Sequence, residues 1–272
     1  MSVASKNQST TNTESHRRMD ESKVETADSA WKSLYRVGGT AALIMAVFIP
    51  IQIIIFVAWP PPSTVIGWFT LFQNNRLLGL LDMDLLLIVD QVLMVLVLLA
   101  LYTALRRASQ SLMAIALTLG LVGIAAYFAS ATAFEMLSLS DQYAAATTDA
   151  QRSMFLAAGQ AMLAIWQGTA FDVGYVLEGV ALLIIAAVML RSTLFSKKTA
   201  YVGILLGVMS LVPPTAGTIG LLFALGSLVP LEIWDILIGR RLYRELGATA
   251  QSIFNGGPKK GPNRVLGGPG VH

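Results

Sequence analysis

An isolated charge among hydrocarbon is expensive and persists only where it has a partner or a use, so ionisable side chains on long apolar runs are the first place to look for chemistry. Asp82, Asp84, Asp90, Glu135, Asp172 and Glu178 all fall on or beside such runs. Counting at 1.5 Å per residue from the arginine or lysine that closes each run predicts that Asp82, Asp84, Glu135 and Asp172 lie at the outer interface of a bilayer. The same count puts Asp90 and Glu178 about 6 to 10 Å into the outer leaflet. Asp172, Tyr175 and Glu178 follow at three-residue steps, which sets the tyrosine hydroxyl between two carboxylates on one helical face. An acidic, water-filled vestibule built this way would bind a cation, a cationic solute or protons. The competing account is structural. The four shallow acids would be hydrated at headgroup level and cap helix ends, with Asp90 and Glu178 hydrogen-bonded to Gln91, Tyr175 or nearby backbone. Arg76 is the basic residue nearest in sequence to balance these acids, and Arg152 is the next candidate.

A second acidic pair, Glu232 and Asp235, stands three residues apart near the end of the last apolar run. With Arg36, Arg191, Arg240 and Arg241 expected at a similar level, the pair predicts an interhelical ion-pair network locking the inner end of the bundle. Its sharper version is an inner gate working against the outer vestibule. Other chemistries are removed by composition. There is no cysteine, and the only histidines, His16 and His272, lie in polar tails. The spans hold Ser and Thr but no His or Lys to activate them, and no Gly-rich phosphate loop, HExxH helix or GxSxG elbow occurs. What survives of the enzyme readings is a divalent metal held by the oxygen ligands of the outer carboxylates.

The elements that must position these acids follow from composition. Of 272 residues, 55% are hydrophobic and 13% charged, with a mean hydropathy of +0.65. The charged fraction is about half that of a soluble domain. The apolar residues gather in runs of about twenty, the length that crosses a hydrocarbon core of roughly 30 Å. We therefore expect an all-α polytopic bundle of six transmembrane helices, at about Val37–Trp59, Leu85–Leu105, Leu112–Leu137, Phe171–Leu190, from Ala200 to the Pro213–Pro214 pair, and Ile219–Ile238. Pro50 predicts a kink in the first. The stretch after it mixes Trp68, Phe69 and Phe72 with Gln73, Asn74, Asn75 and Arg76, and reads as a short interfacial helix capped by Ser63 or Thr64. Thr148 with Gln151 is a candidate capping box, opening a helix that leads from Asp149 towards the fourth span outside the membrane or along its surface. Small-residue faces at Gly203 and Gly207, and at Ala125, Ala129 and Ala133, suit close helix approach. The domain limits that result are a disordered tail over residues 1–33, a six-helix membrane domain over 34–246 and a disordered Gly/Pro-rich tail over 247–272. The first tail lacks the short apolar core of a cleavable signal peptide.

Orientation follows from Lys and Arg near the helix ends. Lys23, Lys32, Arg36, Arg106, Arg107, Arg191, Lys197, Lys198, Arg240, Arg241 and Arg244 fall on one side, against Arg76 and Arg152 on the other. The basic side should be cytoplasmic, with both termini there, in a multi-pass protein of the cell membrane. The lipid bilayer is the partner these residues specify. Nothing points to nucleic acid, and no cofactor or oligomeric state is implied.

Three segments, LYRVGGTAAL, DMDLLLIVDQVLMVLVLLALYTALRR and PLEIWDILIGRRLYREL, resemble the bacterial membrane family catalogued as domain of unknown function 4386, over about Leu34 to Leu246. The resemblance implies a six-helix bacterial protein and carries no catalytic residue. Three functions thus remain open: passage or binding of a cation, proton or small polar solute; a carboxylate-metal membrane enzyme; and a non-catalytic scaffold or sensor. They part on whether the acids of the second, third and fourth spans converge. The scaffold reading predicts that Asp90 and Glu178 never meet.

Overall fold

A computed structural model describes residues 31–246. Both expected disordered tails fall outside these residues, except that helix is already present from Lys32. The described chain is helical throughout its ordered elements. Helix α1 (Lys32–Ala58) contains Pro50, and α2 (Val65–Asn74) starts at Thr64, whose side chain accepts a hydrogen bond from the Gly67 nitrogen. A short α3 (Arg76–Leu80), capped by Asn75, leads through a π-helical turn (Leu81–Leu85) into α4 (Leu86–Leu105). Then come α5 (Gln110–Ser130), α6 (Ala133–Ala145), α7 (Asp149–Trp166) and α8 (Thr169–Arg191). The chain closes with α9 (Lys197–Met209), α10 (Gly217–Arg240) and a second π-helical segment (Arg241–Leu246).

Among the described residues, five helical stretches are long and apolar enough to cross a membrane: α1, α3–α4, α5–α6, α7–α8 and α10 with its continuation. The expected fifth span appears as α9, whose 13 residues reach only about 20 Å. Pro213 and Pro214 stop it from extending, because proline lacks the amide that helix propagation needs.

Two other expected elements are divided. The third apolar run breaks at Ala131–Thr132, so Ala133 and Glu135 begin a separate helix, α6. The helix opening at Asp149 carries the capping box of Thr148 and Gln151, and ends at Trp166 before Gly168 starts α8. The face of α5 that packs is also not the expected alanine stripe: Ala125 and Ala129 are exposed, and Ala133, which is buried, belongs to α6, whereas Gly120, Gly123, Ile124 and Tyr127 are buried.

Two apolar clusters result. In the main bundle α1 packs on α4 and α10, α5 on α8, and α9 on both α8 and α10, around Leu101, Leu105, Met113, Ile185, Met189 and Trp234. The second cluster is aromatic, with Trp68, Phe69, Phe72, Met83 and Met136 at its centre, and it unites α2, α6 and α7. These elements all lie between the ends of α1, α5 and α8 opposite the arginine-rich loops. We call this the cap end, and the other the basic end.

One register matters for the site. A Cβ on Gly39 would stand 2.6 Å from the Tyr243 nitrogen and 3.0 Å from the Gly239 oxygen. Backbone contact of this closeness means that α10 and its continuation run beside α1 well past Arg240. The described helical path runs to Leu246, so Asp235 stands at least roughly 16 Å inside it at helical rise. Counting depth from Arg240, as in the sequence reading, places Asp235 too near the surface.

Candidate functional site

Asp84 is the acid with the fullest set of partners. One carboxylate oxygen accepts hydrogen bonds from the backbone nitrogens of Thr132 (2.8 Å) and Ala133 (3.1 Å), and the other from the indole nitrogen of Trp166 (2.8 Å). Those amides belong to the first turn of α6 and have no helical acceptor of their own. Asp84 thus caps α6 from a different part of the chain and pins the end of α7 to the same point. It is 1% exposed, and all of its visible work is structural.

A deeper polar group lies between α4, α5, α8 and α10. The Gln91 side-chain nitrogen donates to a Glu178 carboxylate oxygen at 3.3 Å. Glu178 reaches this position because α5 and α8 nearly touch: a Cβ on Gly123 would meet Glu178 Cγ at 2.9 Å and the Gly174 carbonyl at 3.0 Å. Asp90, on the turn that holds Gln91, is within electrostatic reach of Glu178, and the Tyr127 hydroxyl is within reach of Asp84, Asp90 and Glu178. From α10, Asp235 comes within reach of Asp90 and Glu232. Asp235 is 1% exposed, and neither of its oxygens has a hydrogen-bond partner. Beside it the Trp234 indole nitrogen, also without a partner, points towards Gly203, where a Cβ would stand 2.8 Å away.

Among the described residues, ten buried side-chain atoms lack a hydrogen bond, and seven of them are carboxylate or amide oxygens of Gln52, Asp82, Gln91, Glu232 and Asp235. Only the Tyr127 and Thr132 hydroxyls and the Trp234 indole can donate. The interior is therefore rich in acceptors and poor in donors. Buried acceptors left in that state are costly, and what would relieve them is a proton or a cation.

The remaining candidates separate. Asp82 is fully buried on the π-helical turn with both oxygens unpaired. Glu135 is exposed on α6. Asp172 accepts a short hydrogen bond from the Thr215 hydroxyl, and the Tyr175 hydroxyl turns to Ser210 and Ser227 rather than lying between two carboxylates. Arg76 pairs at 2.9 Å with Asp141, a partner the sequence reading did not select, and the pair is too exposed to add much stability. At the basic end, Arg241 donates to the Leu194 carbonyl, and Arg36, Arg191 and Arg240 are exposed. Glu232 keeps one buried oxygen without a partner. Neither Asp235 oxygen accepts a hydrogen bond from the arginines it was expected to meet, and the acid lies within electrostatic reach of Asp90.

Sequence reasoning also passed over Tyr127, Trp166 and Trp234. A tyrosine or tryptophan within a span, having one polar atom to satisfy, was the signal available. Among the described residues no three Asp, Glu or His side chains gather closely enough to hold a metal ion. A family model described as Domain of unknown function (DUF4386) matches residues 72–239. No curated protein and no solved structure matches the chain.

Proposed function

The chain belongs to the DUF4386 family, and from that premise we propose that it is a multi-pass membrane protein that binds a small donor-bearing cation, the proton or a protonated amine, at Asp90, Glu178 and Asp235 and passes it across the bilayer. The observation that carries this reading is Asp235, buried without a hydrogen bond and within electrostatic reach of Asp90 on another helix. Carboxylates from three different helices, surrounded by unpaired acceptors, suit a guest that brings N–H or O–H groups and positive charge. Gln91 and Tyr127 would orient the acids. Asp82, on the π-helical turn nearer the cap end, would be an entry step, since such turns frequently mark functional positions.

Flux tests the proposal. Full-length protein in proteoliposomes should carry protons or methylammonium down an imposed gradient. The double variant Asp90→Asn with Glu178→Gln should slow this by about 10- to 100-fold, the worth of one or two charge-assisted hydrogen bonds. Flux that survives the double substitution, or wild-type protein no faster than empty vesicles, would overturn the transport reading.

Topology belongs to the same proposal. We take both termini as cytoplasmic in the cell membrane, with α9 as a short fifth crossing of six, supported by Lys32, Arg36, Arg106, Arg107, Arg191, Lys197 and Lys198 gathering at one end. Because the chain has no cysteine, single introduced thiols report cleanly. An impermeant maleimide added to intact cells should label Thr147→Cys and spare Ser109→Cys. The reverse pattern would invert the orientation.

A further inference from the structure

A second feature of the bundle stands apart from the acids. On the flank where α1 and α4 lie side by side, a groove of about 290 Å³ opens between Val37, Ile44, Leu93 and Leu96, with Arg36 at one end and Thr40 midway along it. Val37 and Ile44 are 46% and 39% exposed, so the groove faces whatever surrounds the bundle. Its polar end is the basic end. Lys32 and Arg36 stand on the first turns of α1, and the Arg106 guanidinium lies 5.3 Å over the Trp31 ring, which ties the end of α4 to the start of α1. Arg107 follows directly. The groove therefore presents a strip of hydrocarbon about 12 Å long, the axial distance from Arg36 to Ile44 at helical rise, with Arg36 in its lining and Lys32, Arg106 and Arg107 on the helix ends at the same end of the bundle.

We propose that this groove binds one anionic phospholipid of the surrounding bilayer, with its phosphate at Arg36, its glycerol ester region towards Thr40 and one acyl chain along Val37, Ile44, Leu93 and Leu96. Charge selects the occupant. A bare acyl chain would fill the strip equally well from any lipid, but only an anionic headgroup gains from this basic end, and basic pockets between membrane helices on the inner side take such headgroups. Gly38 lets α1 approach α4 closely, a Cβ there standing 3.0 Å from the Leu96 carbonyl oxygen, so the two walls are held together beside the groove and it is a shaped site rather than a general lipid annulus.

Native mass spectrometry of the full-length protein tests this, after equilibration with equal amounts of phosphatidylglycerol and phosphatidylethanolamine carrying identical chains. The wild type should retain one phosphatidylglycerol in preference to phosphatidylethanolamine. Arg36→Gln should reduce that preference by about fivefold, the worth of one basic residue at a lipid surface. Ile44→Trp, which fills the strip from a lipid-exposed position and leaves the charge intact, should reduce retention of both lipids, and Lys198→Gln should change neither. Millimolar inorganic phosphate should not displace the bound lipid. Undiminished preference in Arg36→Gln, undiminished retention in Ile44→Trp, or displacement by phosphate alone would each overturn the proposal.

Discussion

Replacing Asp84 by alanine is expected to cost about 3 to 6 kcal/mol of stability, the largest loss we foresee for a single side chain of this protein. The carboxylate accepts three hydrogen bonds at 2.8 to 3.1 Å, and each bond to a charged group is worth about 1.5 to 3 kcal/mol with incomplete additivity. Alanine would also strand two amides and an indole in a dry interior. The damage should begin at the cap end: α6 loses the acceptor for its first turn, and Trp166 loses its anchor. Thermal unfolding in detergent measures the total, and hydrogen exchange at Thr132 and Ala133 together with a Trp166 emission shift localises it. Asp84→Asn, which keeps one carbonyl oxygen, should fall between. A change of less than about 1 kcal/mol, at the level of an ordinary exposed substitution, would mean that the three bonds do not hold the cap in place.

Asp235 should behave in the opposite way. Its oxygens are buried and unpaired, so Asp235→Leu is expected to raise stability by about 1 to 3 kcal/mol, the cost of an unsatisfied buried polar group. The same substitution should remove proton or methylammonium flux. Gain of stability together with loss of transport is what an acid kept for use rather than for packing predicts. The contrast with Asp84 makes the pair informative, since both are acids 1% exposed and only their partners differ. If Asp235→Leu lowered the melting temperature instead, the acid would be an anchor, and the acceptor-rich interior would have to be explained without a guest.

Much of the architecture could be read before any coordinates. Apolar runs of membrane length, the helix start at Thr64 and the capping box of Thr148 and Gln151 are local features, set by neighbours three or four residues away. The break before α6 was not legible, because the group that stabilises it is Asp84, 48 residues earlier in the chain. The site divides along the same line. Asp90 and Glu178 stand out from sequence because charge on an apolar run is conspicuous wherever the run packs. Asp235 was conspicuous too, but its depth was counted from Arg240, and only the contact of Gly39 with Gly239 and Tyr243 reveals that the helix continues beyond that arginine. Tyr127 and Trp234 carry no charge and blend into their helices. Their single polar atom marks them as candidates, but that it lacks a hydrogen-bond partner is a property of packing alone.

The shortness of α9 has a consequence for the solvent around it. Its neighbours α8 and α10 have 23 and 24 residues against its 13, so hydrocarbon of ordinary thickness meets the prolines and Ser210 before the helix has reached the far headgroups. If α9 crosses as proposed, the rest of the thickness is covered by non-helical chain up to Thr215, which bonds to Asp172, so the bilayer thins there or water follows the loop inwards, and either deformation carries a modest energy for every ångström of mismatch. A membrane of shorter-tailed lipids would remove that tension, so chain length in the host bilayer becomes a control on how readily this flank of the protein is wetted.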